Sequence, residues 1–134
     1  MLVFEEQLYN ALKAGTALTT ALGGTHIYNA MANKGSATTY PYVIFTKSSG
    51  VEDTSSPHRA KTLIYQVTGI SATSKKEAEQ LDNYCDALVH NGTYTVTGWG
   101  VYWSKRQSDV SYSEDISGKI LWHEGGLYRI EIAE

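Results

Sequence analysis

The sequence is short of most of what chemistry or export would require. Its 134 residues include one cysteine, Cys85, so no internal disulfide can form and a disulfide-stapled secreted scaffold is excluded. A reducing interior such as a cytoplasm is the simplest compartment. No apolar run approaches the roughly 18 residues that a membrane span needs. Glu5 and Glu6 arrive early with no basic flank before them, unlike a secretory signal. A soluble protein without membrane contact is expected. Cations are also few: 11 Lys plus Arg stand against 14 Asp plus Glu, for a net charge of −3, and they are scattered. Tight non-specific nucleic-acid binding rests on many phosphate contacts, so a nucleic-acid reader is not expected. Prolines number two and phenylalanines two.

Catalytic inventory is missing as well. His26, His58, His90 and His123 are far apart and none sits in a metal-ligand or nucleophile motif, so they read as scattered surface residues. His58 with Glu52 and Asp53 could make a loop metal site, but that needs at least three convergent ligands of definite geometry, and flexible loops usually carry such residues for solubility. Cys85 lies on an apolar helical stripe and reads as a small buried hydrophobe. The adjacent Glu114 and Asp115 would point apart in a strand, so they are no acid–base pair. Gly23-Gly24, Gly98-Trp99-Gly100 and Gly125-Gly126 are too short and wrongly flanked for phosphate loops, and read as turns and bends. No enzyme activity, cofactor or metal is expected.

What is present is an ordinary globular composition, 42% hydrophobic and 19% charged, over residues 1–134, which suits one domain. Phe4, Leu8, Ala11 and Leu12 recur at helical spacing, Gly15 interrupts them, and Thr16 can cap a short second helix that Gly23 and Gly24 end. Ile27 and Tyr28 look strand-like, and Asn33, Lys34, Gly35 and Ser36 read as an exposed loop. The segment Pro41-Tyr-Val-Ile-Phe-Thr-Lys-Ser-Ser-Gly50 predicts a strand over residues 42–48, followed by a polar hairpin loop over 50–60, longer than folding requires. That loop is expected to be mobile until the protein assembles. The next strand, residues 61–72, turns Leu63, Tyr65 and Val67 to the core. Ser74 and Glu77 form a capping box before a helix striped by Ala78, Leu81, Cys85, Leu88 and Val89, which Asn91 and Gly92 stop. Beyond it the apolar face changes near Gly98, predicting a bulge or bend, with Trp99, Val101 and Trp103 on one face and Tyr102 on the other. A polar turn is expected over residues 107–118. The last strand or strand pair puts Ile120 and Trp122 in phase with Tyr128, Ile130 and Ile132. The sum is an α+β fold: an antiparallel β-sheet with two main helices packed on one face.

These elements, in this order and spacing, resemble a family of small siphophage tail-completion proteins. The resemblance rests on the opening helix with the kink Ala14-Gly15-Thr16-Ala17-Leu18, on His26-Ile27-Tyr28, on Tyr40-Pro41-Tyr42-Val43-Ile44, on Tyr65-Gln66-Val67, on the helix over 74–89, and on the close Leu127-Tyr128-Arg129-Ile130-Glu131-Ile132. The family is similar to the minor tail protein that caps lambdoid tails and to tail-to-head joining proteins. Such a likeness implies a structural protein made in the bacterial cytoplasm and placed in the virion at the head-proximal end of the tail. It also implies a hexameric ring whose partners are itself, the tail tube protein and a head-completion or connector protein, with DNA passing through the lumen without specific binding. The sequence departs from the family pattern over residues 118–126, where a longer hairpin is expected.

Ten tyrosines and three tryptophans stand beside the two phenylalanines. Such side chains suit surfaces that are wet before assembly and buried after it, and equally they could fill one small core. Candidate contact residues are Glu52, Asp53, His58 and Arg59 of the polar loop, with Trp99, Tyr102 and Trp103. Two other readings stay open: a head-completion or connector protein of the neck, and a non-viral ligand-binding α+β module with Trp99 or Trp103 in its site.

Overall fold

A computed structural model describes residues 2–30, 40–53 and 59–134 of the chain. The opening apolar spacing becomes two helices, α1 (Leu2–Lys13) and α2 (Thr16–Leu22), which meet at Gly15. Phe4, Leu8 and Leu12 are buried from α1, and Leu18 and Leu22 from α2. Glycine gives the corner room, because a Cβ on Gly15 would stand 2.5 Å from Leu88 Cδ1 of the third helix, which would then have to shift. Thr16 is the first helical residue rather than the expected cap; Gly15 takes the cap position with no side-chain bond. Gly23, at φ 72°, closes α2 as expected by donating back toward the Thr19 and Thr20 carbonyls.

Five strands form one sheet: β1 (Ile27–Asn29), β2 (Tyr42–Asp53), β3 (Ala60–Ser71), β4 (Gly100–Ile116) and β5 (Lys119–Ala133), with α3 (Lys75–Val89) between β3 and β4. Their spatial order is β1-β2-β3-β5-β4. Every neighbouring pair is antiparallel except β1 with β2, which run parallel over three residues. The fold is α+β, with three helices among the described residues and a sheet that is mixed at one edge.

Alternation sets the two faces. Val43, Phe45, Leu63, Tyr65, Val67, Tyr128, Ile130 and Ile132 pack with α1, α2 and the Leu81, Cys85 and Val89 stripe of α3 in the main core. Each such burial contributes about 1.5–3 kcal/mol. On the other face Tyr42, Ile70 and Leu121 make a small cluster with Tyr28, Tyr40 and Ile44, the Tyr28 and Tyr40 rings lying 5.9 and 5.2 Å from that of Tyr42. The rest of that face has no helix upon it among the described residues.

At the start of α3, Ser74 Oγ accepts from Glu77 N at 3.1 Å, as the capping box requires. The return arm differs. Glu77 Oε1 accepts from Ser71 Oγ at 2.7 Å, and Ser71 Oγ in turn accepts from the Thr73 and Ser74 amides.

Three expectations are corrected. β2 runs on to Asp53, paired with Ala60, so residues 50–53 are strand and not loop. Residues 54–58, which include His58 and the centre of the expected mobile loop, lie outside the described residues, as does the loop expected at Asn33 to Ser36. The expected polar turn at 107–118 is also strand, because β4 continues to Ile116; the turn itself is only Ser117-Gly118, both at positive φ, the geometry of a two-residue hairpin. Residues 111–120 are exposed on both faces, so the alternation that marks a half-buried strand is missing. Finally, Gly98 (φ 82°) lies in a tight turn closed by Trp99 N donating to Val96 O at 3.0 Å, and the bulges of β4 fall later, at Tyr102 and Gln107.

Candidate interaction surface

Strand pairing at one end of the sheet gathers residues far apart in sequence. Arg59 N donates to Glu134 Oε1 at 3.1 Å, Glu134 N donates to Arg59 O at 2.8 Å, and Arg59 Nε donates to Glu52 Oε1. Arg59 Cζ and Lys61 Nζ each stand 5.9 Å from the ring centroid of Trp99. Glu52, Arg59 and Trp99, three of the expected contact residues, thus form one cluster. Asp53 reaches the same end through its ladder pairing with Ala60. Exposed cation–π and ion pairs contribute about 1 kcal/mol or less each, so the cluster shapes a surface more than it stabilises the fold.

Next to it β4 changes faces. Val101 pairs with Ile132 and Trp103 with Glu131, which leaves Tyr102 as the extra residue of a bulge, 64% exposed. Trp99 packs against the helix-side core, whereas Trp103 lies on the opposite face, since its partner Glu131 falls between the buried Ile130 and Ile132. The common face expected for Trp99 and Trp103 is therefore corrected by the bulge. Lys105 Nζ stands 4.9 Å from the Trp103 ring, and these two side chains with Gln107, Arg129, His90 and Arg106 line an open groove of about 340 Å³.

No sequence motif marks Arg106, yet it has the densest polar contacts of the described residues. Its guanidinium grips Asp82 through two parallel bonds of 2.7 and 3.0 Å, and donates to Tyr128 Oη (3.2 Å), Gly125 O (2.7 Å) and Asp109 Oδ1 (2.9 Å). Tyr128 Oη donates onward to Asp86 at 2.9 Å. The Asp82 hydrogen bond holds the guanidinium pKa above its ordinary value, while burial raises that of the Tyr128 hydroxyl. Gly126 leaves the room for this, since a Cβ there would lie 2.7 Å from Arg106 Cζ and Nε. The signals in the sequence are Asp82 and Asp86 at i,i+4 on α3 and the glycine pair inside a strand.

The end of α3 also covers part of β4's outer edge. Asn91 N donates to Ser104 O at 2.6 Å and Arg106 N donates to His90 Nδ1 at 3.0 Å, while Ser104 Oγ donates to Val89 O at 2.7 Å. From Ser108 to Ile116 no described residue pairs with that edge.

His123 is buried, 2.7 Å from Glu114 Oε1 and stacked on Tyr112 at 4.3 Å, so His90 and His123 are built into the structure and are not the surface residues expected. Burial pushes the Cys85 thiol up, away from nucleophilic character. Among the described residues no three His, Cys, Asp or Glu side chains converge as a metal site, and no helix is long and apolar enough to cross a membrane.

No protein-family model matches the chain, and no curated protein matches it in sequence. Its fold does have solved counterparts. One is a chain of the virion of a native gene transfer agent particle, with a TM-score of 0.79 at 11% identity, covering 97% of this chain and 94% of that one. Another solved chain, which carries no functional name, has a TM-score of 0.55 at 16% identity over 98% of this chain and 90% of its own. At such identities the likeness is one of fold.

Proposed function

We propose that this chain is a structural protein of a phage or phage-like virion, a tail terminator that closes the head-proximal end of the tail tube as a hexameric ring and offers the head its attachment surface. The observation that carries the reading is the end-to-end likeness of fold to a gene transfer agent virion chain. A ring on a tube needs contacts to two ring neighbours, to the tube below and to the connector above. The exposed Tyr102, Trp103, Tyr112, Ile116 and Ile120 all lie on the β4–β5 hairpin and suit such contacts. Six copies at −3 each carry −18, which lets DNA pass through the lumen without the phosphate contacts that would hold it.

Electron microscopy of particles made with and without the protein tests this. Without it, tails of uncontrolled length that lack heads are expected. Tails of unchanged length with an unaltered head-proximal end would overturn the reading, and normal tails beside heads that leak DNA would favour a head-completion protein instead. The reading includes no catalysis and no cofactor: stoichiometric zinc or iron in the purified protein would count against it.

A further inference from the structure

Among the described residues the two outer edges of the sheet are each half closed. Of these residues β1 fills the outer edge of β2 at 43–45, where Ala30 N donates to Phe45 O, and residues 46–53 continue with no described partner there. On β4 the end of α3 covers residues 104–106, and residues 108–116 continue with no described partner on that side. Long bare edges invite pairing, and proteins ordinarily shorten, bulge or cover them. Among the described residues the covering stops midway on both sides, and bulges mark the edges at Ser48 on β2 and at Tyr102 and Gln107 on β4.

We infer that these two edges join neighbouring copies of the chain by main-chain pairing, residues 108–116 of β4 in one copy against residues 46–53 of β2 in the next. This deepens the ring reading above and rests on it for closure, although the pairing itself needs only a second copy. Direction fits: β2, β3, β5 and β4 alternate, so β4 runs opposite to β2 and the joined sheet continues antiparallel. Length fits, with nine residues facing eight. Charge is mixed. The β2 segment offers Lys47, which forms no ion pair among the described residues, to a β4 segment in which Asp109 is held by Arg106, Glu114 lies against His123 and Asp115 stands at the hairpin end; the β2 segment's own Glu52 is held by Arg59, and Asp53 follows it in sequence. Because the edges differ, the contact is heterologous and can propagate around a ring.

The geometry also allows closure. Tyr42, Ile70, His123 and Tyr112 form one row across the sheet. Placing Tyr112 beside residue 50 of the next copy shifts that copy by eight residues, one of them the bulged Ser48, or about 23 Å along the strands against about 19 Å across four strands. A strand tilt of roughly 50° follows, somewhat steeper than the tilt of about 35–45° that closed sheets adopt.

Cysteine pairs in the full-length chain test the inference. Lys47→Cys, Ser49→Cys or Val51→Cys is combined with Asp109→Cys, Ser111→Cys or Ser113→Cys, while the buried Cys85 is left in place. Oxidation at high protein concentration should give a ladder of covalent multimers from at least one combination and monomer from every single variant. No ladder from any combination would overturn the inference, and so would covalent dimers from Ser111→Cys alone, which would mean β4 pairing with its own copy. Amide exchange of the unsubstituted chain offers an independent arm, with exchange in both segments slowing by about tenfold or more on concentration; unchanged exchange counts against the pairing. A ladder alongside tails of normal length in the deletion would leave the pairing standing and remove the terminator reading. Lost tail control without a ladder would do the reverse.

Discussion

At the scale of single residues the molecule depends on Arg106, an arginine of the edge strand that binds α3 to the β4–β5 hairpin. Arg106→Ala leaves Asp82 partly buried without its fork and should lower the unfolding free energy by about 2–3 kcal/mol. Arg106→Lys should recover less than half, since a point charge cannot make two parallel bonds. Gly126→Ala should cost about 1–3 kcal/mol by displacing that guanidinium. Urea unfolding of the double variant separates the effects, because most of the Gly126→Ala cost should vanish once Arg106 is gone; simple additivity would show that the glycine serves something else. The tyrosines set an alkaline limit. Burial, with help from neighbouring acidic groups, pushes Tyr42 up to about 12, and Tyr65 and Tyr128 are raised further. A raised folded pKa means the folded state keeps its protons longer, so this stability is whole below pH 10 and is lost as pH rises through the folded values. For Tyr42 alone the loss between pH 10 and 12 is about 2–3 kcal/mol. Denaturation midpoints that stay flat over that window would contradict it.

Among the elements, α3 and the strands beneath it follow directly from the sequence, while the edge strand does not. Ala78, Leu81, Cys85 and Val89 bury one stripe of α3, and Leu63, Tyr65 and Val67 bury one face of β3, so the periods of 3.6 and 2 are both visible. Residues 107–116 show neither period, since water lies on both faces of the hairpin end, and polar composition there reads as turn. The polar end of β2 is hidden for the same reason. Of the candidate surface, Glu52, Arg59 and Trp99 do converge, but the face of Trp103 was not legible: one bulged residue, Tyr102, inverts the alternation, and nothing local in the sequence distinguishes a bulge there from one at Gly98. The cap of α3 was legible in its first arm only. Ser71 is buried with three hydrogen bonds at the β3–α3 junction, so Ser71→Ala should cost more than Ser74→Ala, for which about 1 kcal/mol is expected. Thermal melts giving the reverse order would place the junction's stability in the Ser74 cap instead.

For the whole molecule, the described residues arrange as one helix-covered face, one face with no helix upon it beyond its tyrosine cluster, and a long hairpin at the edge that carries most of their exposed aromatics. Packing energy is concentrated behind the sheet, in the cluster of α1, α2 and α3. Stability and assembly should therefore be separable by mutation. Tyr102 and Trp103 are 64% and 42% exposed, so the double substitution Tyr102→Ala with Trp103→Ala should move the unfolding free energy by no more than about 0.5 kcal/mol for each side chain. Aromatic anchors at a contact commonly carry about 2 kcal/mol or more, which corresponds to roughly thirtyfold in affinity. Co-expression of tagged variant and untagged wild type, with the ratio read in purified particles, should show the variant depleted by at least about tenfold while its melting temperature in solution is preserved. Equal incorporation would take Tyr102 and Trp103 out of the assembly surface, and a collapsed melting temperature would mean that the bulge is held by these side chains for the fold's own sake.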